Sequence, residues 1–461
     1  MEYTAEWIAR AVDGRLVGEN TPVTGGVFTD SRECQDQSLY IARVGENADG
    51  HDYLDSAVEH GAVAAIVTRE DVGPEKLTRI VVSDATKALG KLAKAHLRKL
   101  REGGKIDVIA ITGSVGKTTT KDLTAGILNA FGPTIAPKSS FNNEVGMPLT
   151  VLRADHHTRY LVLEMGASGP GHLQYLTSIA APDIAVELTV GRAHLGGFGS
   201  VPALAHAKAE LVEGLAKGGT AILNRDDQNV YNMASLASGP VVFFSAKGRS
   251  GADVKATHIK LDENSCPAFD LEAGDVLKRV HLGLVGRHQV SNALAAISAC
   301  LTLGLDPAKV VETLNGLRAQ SPHRMNVFKH QDVTFIDDSY NANPDSMKAG
   351  LEVLGKLGQR ASRRIAVLGV MLELGKASES LHREVGRLAD EAGVDVLITV
   401  GEGAQLMSEP LRGKAEIHHF EDAKEAADLV RNLVQAGDFV FLKGSNGSGV
   451  WKIADEFSAK E

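Results

Sequence analysis

The chain has 461 residues, room for about three domains at roughly 150 residues each, which excludes a single small module. Apolar residues make up 43% and charged ones 23%, a globular balance rather than a disordered one. The 49 Lys and Arg against 58 Asp and Glu leave a net charge of −9, which argues against a nucleic-acid partner. Cys34, Cys266 and Cys300 form no C-x-x-C pair for zinc or dithiol chemistry, and a reducing, cytoplasmic location is expected. The opening MEYTAEWIAR does not read as a secretory signal. The run 288–305 is too rich in polar residues for a membrane span, so no membrane insertion is expected.

In chain order, residues 1–102 mix short strands at 62–68 and 79–82 with helices at 4–12 and 85–100, a small α/β cap. The polar stretch 101–105, Arg-Glu-Gly-Gly-Lys, reads as a hinge. Residues 103–320 open with the β-branched run VIAIT at 108–112, a Gly-rich turn, and a helix carrying Leu123, Ile127 and Leu128. Apolar runs without alternation follow at 160–165, 183–188, 220–224 and 241–245, the signature of parallel strands buried on both faces. Residues 321–461 alternate strands at 333–337, 364–369, 396–400 and 439–443 with helices at 345–355, 379–392 and 422–435, a Rossmann-like pattern. The expected fold is therefore α/β in three domains: a cap, a central mostly parallel sheet with helices on both faces, and a C-terminal Rossmann-like unit.

The sharpest local signal is Thr112-Gly113-Ser114-Val115-Gly116-Lys117-Thr118-Thr119, set between a buried strand and a helix N-terminus. There the free backbone N–H groups and the helix dipole favour an anion, Lys117 can reach the β and γ phosphates, and the Thr118 hydroxyl can ligate Mg²⁺. An ATP site is expected. Ile111 stands where the usual eight-residue phosphate loop begins with Gly, so the loop is short.

An ATP site does not name a reaction. Glu164 lies at the end of the strand YLVLEM and could face the phosphates and hold Mg²⁺. His194 sits in the glycine-dense loop 191–200, suited to close approach of a ligand, and Lys208 reads by itself as an exposed helix lysine. Asn292 carries the paired donor and acceptor that read an adenine edge. Arg324 could neutralise a phosphate, and Asp338 could accept from a ribose hydroxyl.

Taken together and in order, TGSVGKTT, FNNEVGMPLT, LEMGA, AHLGGFGS, the Lys208 helix, GRHQVSNALAA, HR and DDSYNANPDSM resemble the Mur ligase family across essentially the whole chain. These are ATP-dependent amide ligases of peptidoglycan and cell-wall synthesis. DDSYNANP, FNNxxGxPLT, TDSR at 29–32 and DGHDY at 49–53 are most similar to the members that add D-alanyl-D-alanine to UDP-N-acetylmuramoyl-tripeptide through an acyl phosphate. The resemblance implies that the cap holds the UDP end through Ser31 and Arg32. It places Asn142 and Asn143 near the muramoyl-peptide and brings the dipeptide to the C-terminal domain, with Asn341 and Asn343 as candidates. It also implies two Mg²⁺ ions, one held by Thr118 and Glu164, the other by His194 and a carbamylated Lys208, in a monomeric enzyme.

Val44, Asn47, Val370 and Asn446 depart from the family's common residues at cap and C-terminal motifs. The readings set against this one are a family ligase that adds a single amino acid, for which the D-N-P-R motif is absent, and a non-catalytic phosphate-loop binding paralogue.

Overall fold

The computed structural model describes residues 2–45, 47–192 and 195–458. Its three large sheets draw their strands from residues 15–81, 107–281 and 326–443. In the first sheet, strands 27–28, 38–41, 62–67 and 78–81 run parallel, and 15–17 closes one edge antiparallel.

The middle sheet has nine strands, in the spatial order 276–281, 267–273, 254–261, 241–245, 220–224, 184–187, 107–112, 160–164, 134–135. From 134–135 to 254–261 every pairing is parallel, and the central strands 107–112, 160–164 and 184–187 are buried end to end, as runs such as VIAIT require. The last three strands pair antiparallel and were not anticipated. Their half-exposed residues dilute the apolar run, although Gly274-Asp275 between Ala273 and Val276 is a two-residue hairpin signal.

Helices cover both faces of this sheet. On one, Lys117–Asn129 and Gln289–Thr302 bury Leu123, Ile127, Leu294 and Ile297 against Ile109, Ile111 and Val186. On the other, Ala85–Gly103 contributes Leu89 and Leu92 to a core shared with Met147, Leu161 and Leu163. Each such buried aliphatic side chain contributes about 1.5–3 kcal/mol.

The helix Ala85–Gly103 runs into the stretch expected to be a hinge. Arg101 is pinned there, donating to Asp183 Oδ2 at 2.7 Å and to the Ala181 carbonyl at 3.1 Å. A distant carboxylate thus fixes residues whose local composition reads as flexible. No described helix is long and apolar enough to cross a membrane.

The C-terminal sheet is ordered 326–330, 333–337, 439–443, 364–369, 396–400, 416–420, parallel except for its first, hairpin-linked edge strand. Helices Pro344–Leu357 and Ser378–Glu391 pack on one face, Ala423–Leu433 and Val450–Ser458 on the other.

Candidate active site

Strand register decides what meets at the rim of the middle sheet. The strand Asp107–Thr112 lies between Tyr160–Glu164 and Ile184–Glu187, with Glu164 opposite Ile111 and Glu187 opposite Thr112. Both acids therefore end level with the phosphate loop, where ligands bind in parallel α/β sheets. Gly116 caps the following helix with φ 84°, and a Cβ there would lie 2.3 Å from Asn292 Oδ1. Only glycine fits that backbone and that space.

A cavity of about 500 Å³ opens between this loop and the C-terminal segment. Ser114 to Thr119, Asn142, Glu164, Asn292, Arg324, Asp338, Asn341 and Asn343 line it, so 13 of the residues singled out from the sequence converge. Thr112, Gly113, Asn143 and Lys208 do not line it. Ser31 and Arg32 belong to the first segment and do not line it. Ser31 is buried, sharing a hydrogen bond with the Ser56 hydroxyl at 3.1 Å, while the exposed Arg32 clasps Asp30 at 2.6 Å. His194 lies outside the described residues.

Thr118 stands at the centre of a polar network. Its Oγ1 is 2.9 Å from Glu164 Oε2 and 3.0 Å from Ser140 Oγ, and Asn142 Nδ2 donates to Glu164 Oε1 at 2.8 Å. Arg324 Nη2 donates to Thr118 Oγ1 and Ser140 Oγ, each at 3.1 Å, while its guanidinium lies 4.1 Å from the Tyr340 ring centroid. Arg324 Nε is buried with no hydrogen-bond partner among the described residues, as a donor reserved for a ligand oxygen would be. Lys117 Nζ donates to the Gly113 carbonyl at 2.8 Å. Burial pulls its ammonium below the usual lysine range, and nearby Glu164 opposes that shift.

These groups suit ATP and a hard cation. A hydroxyl and a carboxylate oxygen 2.9 Å apart supply the one or two protein ligands that Mg²⁺ commonly takes, the rest coming from phosphates and water. Among the described residues no three His, Cys, Asp or Glu side chains cluster as a metal cage.

Other candidates carry structural duties. Asn292 Nδ2 donates to Gln289 Oε1 at 2.8 Å, which holds its amide beneath the loop. Asp338 accepts from the Met325 N–H at 3.1 Å and from Lys443 Nζ at 2.5 Å, and the same Nζ donates to the Asn341 carbonyl at 2.9 Å. Asn143 Oδ1 accepts from the Gly146 N–H at 2.9 Å. Asn343 caps the helix Pro344–Leu357 through Ser346, which commits its side-chain carbonyl oxygen.

Two buried charged groups stand apart from the cavity wall. Lys208 is 4% exposed, so the expectation of a surface lysine is corrected: its helix packs against the sheet rather than on solvent. Burial lowers its ammonium to about 8, with Glu187 acting in the opposite sense. Glu187, which sequence reasoning missed, is fully buried, and burial pushes its carboxyl up to about 8 while Lys208 pulls it down. In DIAVEL it reads as an ordinary strand-end acid, so no local signal marks it.

Three family models match successive parts of the chain: "Mur ligase family, catalytic domain" over residues 24–97, "Mur ligase middle domain" over 111–300 and "Mur ligase, glutamate ligase domain" over 323–446. The UDP-N-acetylmuramoyl-tripeptide--D-alanyl-D-alanine ligase of Mycobacterium tuberculosis is 41% identical over 100% of this chain and 98% of its own length. The Escherichia coli protein of that name is 32% identical over 98% of each chain. Among solved structures, MurF from Acinetobacter baumannii superposes with a TM-score of 0.88 at 31% identity, over 100% of this chain and 99% of that one. MurF ligase from Thermotoga maritima in complex with ADP gives 0.79 at 28% identity, over 95% and 98%.

Proposed function

The chain belongs to the Mur ligase family, and from that premise we propose that it joins D-alanyl-D-alanine to UDP-N-acetylmuramoyl-tripeptide, converting ATP to ADP and phosphate. The observation that carries the chemistry is the meeting of Lys117, the Thr118–Glu164 pair and Arg324 in one cavity between two segments. The choice of acceptor rests on full-length relatives that bear that activity in their names.

A carboxylate is a poor acyl donor. In the reaction the tripeptide's terminal carboxylate attacks the γ-phosphorus, ADP leaves, and the dipeptide amine then attacks the acyl carbonyl and expels phosphate. The first step brings two anions together, so it needs fixed positive charge in a site of low dielectric. Lys117 and Arg324 supply it, and Glu164 and Thr118 would hold Mg²⁺. Bound there, the ion would neutralise phosphate charge. Arg324 must release Thr118 as the ligand enters, and its unpartnered Nε is free to receive a phosphate oxygen.

In the same reading Asn292 meets the adenine and Asp338 the ribose. Residues 1–102 hold the UDP end through Ser31 and Arg32, 103–320 bind ATP, and 321–461 present the dipeptide with Asn341 and Asn343. Asn142 and Asn143 lie toward the muramoyl-peptide. Lys208 takes up CO₂ as a carbamate and, with His194, serves a second Mg²⁺; its buried, depressed ammonium favours the neutral amine that reacts with CO₂. The enzyme acts as a cytoplasmic monomer.

A matrix of UDP-muramoyl peptides against single amino acids and dipeptides, read as phosphate release, tests the reading. Turnover is expected only with the tripeptide and D-alanyl-D-alanine together, and Lys117→Ala is expected to lower it about a thousandfold. Equal turnover with single amino acids would defeat the dipeptide assignment.

A further inference from the structure

Lys443 lines the cavity, where a lysine would ordinarily be taken for a phosphate ligand. It is only 2% exposed, and its Nζ donates to Asp338 Oδ2 at 2.5 Å, to the Asn341 carbonyl at 2.9 Å and to the Asp338 carbonyl at 3.2 Å. An ammonium has three N–H groups, so all of them are committed to the turn 338–341. Strand register brings the two residues together: Asp337 pairs with Leu442 in parallel, and Asp338 and Lys443 follow them in the chain.

The same turn is tied to the segment that enters the strand Asn326–His330. The Met325 N–H donates to Asp338 Oδ1 at 3.1 Å, and the Tyr340 N–H donates to the His323 carbonyl at 3.2 Å. His323 and Met325 both hold left-handed backbones, with φ 58° and 55°. Bulky side chains disfavour that region, so two such residues astride one arginine persist only where surrounding contacts hold them. Between them Arg324 projects across the Tyr340 ring at 4.1 Å and onto Thr118 and Ser140 of the middle segment, each at 3.1 Å. The side chain that meets phosphate is therefore aimed by a backbone that Asp338 holds, and Asp338 is in turn held by Lys443.

We propose that Lys443 is a positioning residue: by fixing Asp338 and the turn 338–341 it keeps residues 323–325 in their left-handed form and so presents Arg324 to the nucleotide phosphate. This rests on the reading that Arg324 receives a phosphate oxygen. Each Asp338 oxygen keeps a further lone pair, so a ribose hydroxyl can be received in addition.

The test is a double-mutant cycle read as phosphate release, with ATP varied at saturating tripeptide and dipeptide. Lys443→Met keeps the length of the side chain, and Asp338 opens on the cavity where water can reach it, so the variant is expected to fold, as thermal melting will show. It is expected to lower kcat/KM for ATP roughly tenfold to a hundredfold, the scale of a misplaced catalytic group. Added to Arg324→Ala, it is expected to cost less than about twofold more, because residues that act through one contact are not additive. Met325→Val leaves the Lys443–Asp338 pair intact while its β-branch resists the left-handed backbone. It is expected to reproduce both the loss and the non-additivity, and it carries the test should Lys443→Met fail to melt cooperatively. Wild-type kcat/KM in folded Lys443→Met or in Met325→Val would overturn the inference, as would losses that multiply in the double variant, and either result leaves the Arg324 reading intact. Full turnover in Arg324→Ala would overturn that reading and the inference with it.

Discussion

Glu187 and Lys208 illustrate how a residue's chemistry is set by what faces it. A glutamate at the end of an apolar strand and a lysine in an Ala-rich helix are commonplace in sequence, and both are buried here on facing elements. Glu187 titrates near 8 in the folded chain and near 4.5 in water, so the folded state holds a proton that the unfolded state has lost between those values. Stability therefore falls as pH rises through that window and levels off above about 8. Glu187→Val removes the penalty. In CO₂-depleted buffer its melting temperature should exceed the wild type by more at pH 8.5 than at pH 5, with a widening of about 3 °C or more in differential scanning calorimetry. A constant difference would mean that Glu187 finds a counter-charge in solution.

The elements around the site are legible where their signals are local. The loop from Gly113 to Thr119 was readable because strand, glycine turn and helix follow one another in the chain. Asn343 was read as a substrate residue from its motif, whereas the capping box it forms with Ser346 shows what its backbone position demands. Packing between elements was invisible to sequence. Gly350, in the helix Pro344–Leu357, sits where a Cβ would lie 2.2 Å from Phe441 Cζ on the strand Phe439–Lys443. Gly350→Ala should gain slightly in helix propensity and lose about 1–3 kcal/mol to overpacking, seen as a lower urea midpoint for the C-terminal segment. Because Asn343 caps that helix, the KM for D-alanyl-D-alanine should rise with it.

At the scale of the whole molecule, Arg192 joins Arg324 in tying the middle and C-terminal segments together beside the cavity. Arg192 donates through Nη1 and Nη2 to the two carboxylate oxygens of Glu384 at 2.8 and 2.9 Å, and its backbone N–H donates to Asp345 Oδ2 at 3.0 Å. Both side chains are about one-third exposed, at 34% and 33%, so solvent screens the pair and it contributes about 1 kcal/mol at most. Such a contact sets the arrangement of the segments more than their stability. Arg192→Ala should leave the melting temperature within about 2 °C. It should enlarge the radius of gyration measured by X-ray scattering without nucleotide, and added ATP and tripeptide should restore the compact form. An unchanged scattering profile would show that other contacts fix the arrangement.

The sequence by itself determined the parallel strands, the phosphate loop and the motif order that placed the chain in its family, because each depends on residues adjacent in the chain. Tertiary structure alone decided the antiparallel extension of the middle sheet, the clasp of Lys443 on Asp338, the burial of Lys208 and the approach of Glu187 to it. Those features join residues that are neighbours only after strands take their register and helices choose a face. A charged side chain looks the same in sequence whether water or another charge will meet it.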